Sequence, residues 1–163
     1  DYTLSRGLGD VYKRQWFAEA VPPHTAAAET DHPLALAAAA TVTSVVESMA
    51  GLGFKSASEA ILQLAISANG HLNDTAPWSR MKQPGQEVEV GDDLYAVLEA
   101  TRIVGLLLAP LLPDLSDRIL AQLGHALNED AWLEQLSWGG LASGAHLPQP
   151  TPVMQRLELE GEL

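Results

Sequence analysis

Trp78 stands directly after Pro77 and within four residues of two cations, Arg80 and Lys82. In a chain of net charge −12 this is a local exception. The residue types suit contact with an RNA loop. An indole is a stacking platform for an unstacked base, worth about 1–3 kcal/mol per base, and the two cations can meet the flanking phosphates. A plainer reading of the same residues is a tryptophan that fastens a post-helix loop to the core. On the residues alone the plainer reading is the favoured one.

Bond-making chemistry has no visible carrier. There is no Gly-rich phosphate loop, no Gly-x-Ser-x-Gly and no cysteine nucleophile, so no catalytic residue is assigned. The five histidines, at 24, 32, 71, 125 and 146, show no His-x-x-x-His spacing, and no metal ligands are assigned. The absence of cysteine also excludes a disulfide framework and a thiolate zinc cage. The acidic balance excludes a general nucleic-acid binder, which needs a basic surface to neutralise phosphates. Any RNA contact is therefore local, or draws its affinity from elsewhere in a larger molecule. The longest apolar run, Ile103 to Leu112, is too short to span a bilayer and contains Pro110. The first residues lack the apolar block of a signal peptide, so a soluble cytoplasmic protein with no membrane partner is expected.

The elements that must position Trp78 read as helices. Hydrophobic residues make up 47% of the chain, charged residues 18%, and Ala and Leu outnumber β-branched and aromatic types, a composition that favours an all-α fold. Trp16 to Pro23 reads as the last turn of a helix stopped by Pro22 and Pro23. A loop with Thr30, Asp31 and Pro33 leads to a helix from about Leu34 to Met49, with Val42, Val45, Val46 and Met49 on one face. Gly51 and Gly53 close it as left-handed terminators. A capping box, Ser56-Ala-Ser-Glu59, opens the next helix. Its core stripe is Ile61, Leu64, Ala65, Ala68 and Leu72. At 100° per residue Asn69 falls inside the wider apolar arc, between Ala65 and Leu62. A buried amide needs a partner, which makes Asn69 the expected structural support of the Pro77-Trp78 corner.

Met81 to Gly91 reads as a loop, and Asp92 and Asp93 as the acidic start of a helix to about Ala109. That helix is apolar almost all round beyond Arg102 and is expected to be the most buried. Arg102 is expected to pair with an acidic neighbour. Pro113 starts another helix through Gly124 with Ile119, Leu120 and Leu123 as its core, and a short helix is expected at Ala131 to Leu136. From Ser137 the chain becomes an extended tail with Pro148, Pro150 and Pro152 at alternate positions and Leu157 and Leu159 alternating with glutamates. The expected divisions are residues 1–15, 16–136 and 137–163. Residues 1–15 are expected to be non-native: Gly9-Asp-Val-Tyr-Lys-Arg-Gln15 resembles a segment recurring at the ends of proteins translated from environmental sequencing.

Asn69, Pro77-Trp78 and Lys82 at this spacing, with His71 as the following aromatic, resemble the C-terminal anticodon-binding domain of methionyl-tRNA synthetases. The likeness continues in Arg102-Ile-Val-Gly-Leu-Leu-Leu-Ala-Pro-Leu-Leu-Pro113, Ile119-Leu120, Leu123-Gly124, Trp138-Gly-Gly-Leu141 and Pro152-Val-Met-Gln-Arg-Leu-Glu158. It covers roughly Trp16 to Glu158. The resemblance implies an antiparallel helical bundle of the class I synthetase anticodon-binding type, with an extended C-terminal tail. It implies tRNA, through its anticodon loop, as partner, with Pro77 and Trp78 packing against an anticodon base. The family's Asn and Arg on the first bundle helix have no counterpart to assign before Trp16. The ATP-binding motifs and zinc knuckle of the family's catalytic half are also absent, so ATP and zinc would belong to that missing catalytic domain. Two rivals remain: the matching domain of a class I synthetase for leucine, isoleucine, valine or cysteine, and a helical protein-interaction module.

Overall fold

Pro22 and Pro23 have no amide hydrogen and push the residue before them into extended backbone. In a computed structural model, which describes Phe17 and residues 19–154, that preference gives an extended pairing where a helical turn is expected. Ala20 forms an isolated antiparallel bridge with His146. The Val21 amide donates to the Ala145 carbonyl at 2.8 Å and the Leu147 amide to the Glu19 carbonyl at 2.7 Å. Residues 1–15, Trp16, Leu157 and Leu159 lie outside the described residues.

The helices then follow in order: α1 (Ala26–Thr30), α2 (Pro33–Ala50), α3 (Phe54–Thr75), α4 (Pro77–Arg80), α5 (Glu87–Leu108) and α6 (Pro113–Gln122). A 3₁₀ turn at Glu129–Ala131 runs into α7 (Trp132–Gln135). The fold is all-α, an antiparallel bundle in which α2, α3 and α6 pack against α5. By length and composition alone, Ala26–Ala50 could cross a membrane, at a mean hydropathy of 1.4. That apolarity is largely alanine, the helix breaks at Asp31 and His32, and Leu34, Ala35, Ala38 and Val45 turn into the core.

Three helix boundaries differ from the pattern-based expectation. Gly51 and Gly53 flank the left-handed residue instead of supplying it: Leu52 has φ 58°. The Gly53 amide closes the turn on Ser48 O at 2.7 Å, and the steric cost of the left-handed conformation falls on a leucine. Helix α3 begins at Phe54, so Ser56 lies inside the first turn and no capping box forms; Glu59 instead faces Lys55. Helix α5 begins at Glu87, so Gly91 is helical and Asp92 and Asp93 sit beyond the first turn. Gly91 is a point of close approach: a Cβ there would stand 2.6 Å from the Pro23 carbonyl oxygen.

Helix α5 is the most buried element, with Val90, Tyr95, Ala96, Ala100, Ile103 and Leu106 all fully enclosed. Within it, Arg102 and Glu99 are 1% and 0% exposed, one helical turn apart. Glu99 Oε1 accepts from Arg102 Nε at 2.9 Å and from the Gly139 and Gly140 amides at 2.8 Å each; Oε2 accepts from the Leu141 amide at 3.2 Å. Arg102 donates in turn to the carbonyls of Gln135 and Ser137, both at 2.6 Å. Beyond the bonds within the pair, these partners are all backbone groups between Gln135, the last residue of α7, and Leu141. Trp138 adds an indole hydrogen bond to Ala28 O at 3.2 Å. Leu141 and Leu147 are buried with Val21, Tyr95 and Leu123, so the extended segment from Ser137 is part of the core.

Arg102→Met leaves a buried carboxylate with two fewer charged donors, and removing one partner of such a pair costs about 3–5 kcal/mol. Urea denaturation should show a loss of that size. Gly140→Ala should also destabilise, because its Cβ would overlap the Arg102 guanidinium; an unchanged midpoint would contradict this account.

Candidate nucleic-acid interface

The corner after α3 is built from a helix end, a reversal and a single helical turn. Ala76 caps α3 through its amide to Leu72 O at 3.2 Å and has φ 42° and ψ 60°, left-handed for a residue with a Cβ. The strain of such a conformation is of order 1–3 kcal/mol. Pro77 follows at the first position of α4, where its missing N–H is no loss. The amides of Ser79 and Met81 close the turn on Ala76 O and Pro77 O, both at 2.9 Å.

Pro77 is buried, Trp78 and Arg80 are half-buried, and Lys82 is exposed in the loop to α5. These four residues are gathered on one corner. Asn69 is not: it lies on the exposed side of α3. The helical-wheel position was right but the arc was narrower than expected, since Leu62, its neighbour in direction, is 61% exposed.

What supports the corner is a charged hub that residue spacing did not reveal. Arg80 donates from one terminal nitrogen to Asp93 Oδ2 and from the other to Glu89 at 2.7 Å, with Nε on Gln86 at 3.3 Å. The other Asp93 oxygen, Oδ1, faces His71 Nε2 at 2.8 Å and His32 Nε2 at 3.5 Å. The Leu34 amide donates to His32 Nδ1 at 3.1 Å, so the neutral ring carries its proton on Nε2, toward Asp93. Burial alone would raise the Asp93 carboxyl, but hydrogen bonds from His32, His71 and Arg80 outweigh it and hold the group well below the usual carboxylate range.

His32, His71 and Asp93 offer ligand atoms within 4.8 Å of one another, a spacing able to hold a metal ion although the histidines are scattered in sequence. The hydrogen bonding fits a proton-bridged cluster better. A metal needs the Nε2 lone pair of His32, which would turn Nδ1–H against the Leu34 N–H, and the Arg80 cation on the other Asp93 oxygen already balances that carboxylate's charge.

Residues 21–161 match the model of the anticodon binding domain of methionyl tRNA ligase. The chain belongs to that family. It is 36% identical to the methionine–tRNA ligase of Synechocystis sp. over 98% of this chain and 31% of the relative. It is 34% identical to the chloroplastic/mitochondrial methionine–tRNA ligase of Arabidopsis thaliana over 98% of this chain and 26% of the relative. Among solved structures it resembles Mycobacterium tuberculosis methionyl-tRNA synthetase in complex with methionyl-adenylate, with TM-score 0.70 and 27% identity. That likeness covers 93% of this chain and 29% of the other. The free form of the same synthetase gives TM-score 0.71 at 24% identity, covering 96% and 32%. The chain thus spans about a third or less of the relatives it matches.

Because the folded Asp93 value is depressed, its contribution to stability is present above the unfolded value, roughly pH 4. It is lost as pH falls further toward the folded value. The urea-midpoint advantage over Asp93→Asn should therefore shrink as the pH is lowered from about 5 to about 2. A difference that stays constant with pH would exclude this assignment.

Proposed function

We propose that this domain receives the anticodon loop of a tRNA within a methionine–tRNA ligase. The parent enzyme joins methionine to tRNA at the expense of ATP. Catalysis, with its ATP site and zinc, belongs to the part of that polypeptide outside this chain, and the parent works in the cytoplasm. Family membership favours methionine over the leucine, isoleucine, valine and cysteine enzymes. It also favours RNA recognition over a protein-interaction module.

Trp78 serves as the stacking platform for an unstacked anticodon base, with Pro77 packed beneath the corner and Lys82 meeting a flanking phosphate. The observation that carries this reading is the combination at one corner: a buried proline fixing the turn, a tryptophan only half-buried, and an exposed lysine. Arg80 is a weaker candidate for a phosphate contact, because Asp93 and Glu89 already compete for its guanidinium. The acidic balance of the chain leaves bulk affinity to the rest of the parent, while this corner contributes discrimination.

The test is equilibrium binding of the full-length protein to an RNA stem-loop with a CAU anticodon. Trp78→Ala should weaken binding by about tenfold, the lower part of the range for a lost base stack. Lys82→Ala should weaken it less and flatten the dependence of log K on log salt by about 0.7–0.9 for each phosphate no longer neutralised. Binding unchanged in Trp78→Ala would overturn the stacking role.

A further inference from the structure

We propose that Asp93 is a positioning residue for the Trp78 platform, acting through Arg80. The inference rests on the reading of Trp78 as the base-stacking residue and adds to it the group that sets its orientation.

Helix α4 has four residues, too few to hold its own shape. It leaves α3 through the left-handed Ala76, a conformation that persists only where its surroundings enforce it. Two anchors supply that enforcement. Pro77 is buried at the start of the turn. Arg80, at its end, is tied to Asp93 and Glu89. Of the two carboxylates, Asp93 is the stronger anchor, with a side chain 15% exposed against 65% for Glu89.

Asp93 is itself fixed from two other directions, by His71 on α3 and by His32 at the N-terminus of α2. Its two oxygens therefore join three elements to α5. One receives the end of the Trp78 turn, and the other receives the bundle. Trp78 lies between the two anchors, so its backbone direction is set by the ends of a turn that cannot rotate. Stacking depends on the plane of the ring, which makes tRNA affinity sensitive to a residue that touches no RNA.

The experiment compares the native full-length protein with Asp93→Asn, Trp78→Ala, the double variant and Arg80→Met, using the same CAU stem-loop and checking fold by circular dichroism. Asp93→Asn should weaken binding by about tenfold, and the double variant should bind no worse than Trp78→Ala. A purely structural defect would add to the Trp78 loss in the double variant, and additivity would overturn the proposal. So would native affinity in Asp93→Asn. Arg80→Met approaches the same clamp from its more exposed side. It should reproduce the Asp93→Asn loss with the salt dependence unchanged, whereas a flatter slope would make Arg80 a phosphate contact and refute the clamp. If Trp78→Ala alone leaves binding intact, the stacking reading falls, an outcome distinct from failure of the positioning role.

Discussion

The buried pair of Glu99 and Arg102 sets the terms for the rest of the molecule. Two charges removed from water are tolerable only when their remaining hydrogen-bonding capacity is filled. Here the long helices that pack around the pair supply none of the described bonds beyond the pair itself. The others come from the backbone between Gln135 and Leu141. That requirement explains why Gly140 has no side chain, why Trp138 is held against Ala28, and why an extended segment with little regular structure is nevertheless part of the core. The bundle is closed by polar groups at its centre and by apolar ones around them.

The same device recurs, at smaller scale and nearer the surface, at the corner that carries Trp78. Asp93 does for α4 what Glu99 does for the chain after α7: a carboxylate on α5 gathers donors from segments distant in sequence. The two hubs lie on one helix, six residues apart in sequence, and divide the work. One holds the domain together and the other holds its recognition corner in shape. A chain with a large excess of carboxylates thus spends two of them inside, where each is matched by an arginine.

Local signals in the sequence were reliable where a pattern of period 3.6 met a strong terminator. Proline at the start of α6 and the apolar wall of α5 were legible, whereas Pro33 read as loop and no helix was expected at Pro77, yet each opens a helix. The pairing of Arg102 was legible too, because a charge in an otherwise apolar helix has few alternatives. Gly91 misled because glycine serves both as a breaker and as a point of close approach, and only the Pro23 carbonyl distinguishes them. Ser56 misled because a serine-to-glutamate spacing fits inside a helix as well as at its start. Asn69 failed on the width of the apolar arc, which depends on what lies opposite. Of the corner, Pro77 and Trp78 stood out by type. His32, His71 and Asp93 did not, since they are far apart in sequence and each had an ordinary local explanation.

The dependence of Glu99 and Arg102 on residues 135–141 has a consequence for the order of assembly. The helices through α6 are complete in sequence before the groups that satisfy their central charges have been synthesised. A nascent chain ending near Gln122 would have to keep those charges hydrated, which holds α5 apart from a fully dry interior. Drying the middle of α5, finally its best protected part, therefore depends on a short glycine-containing segment made after every long helix of the bundle.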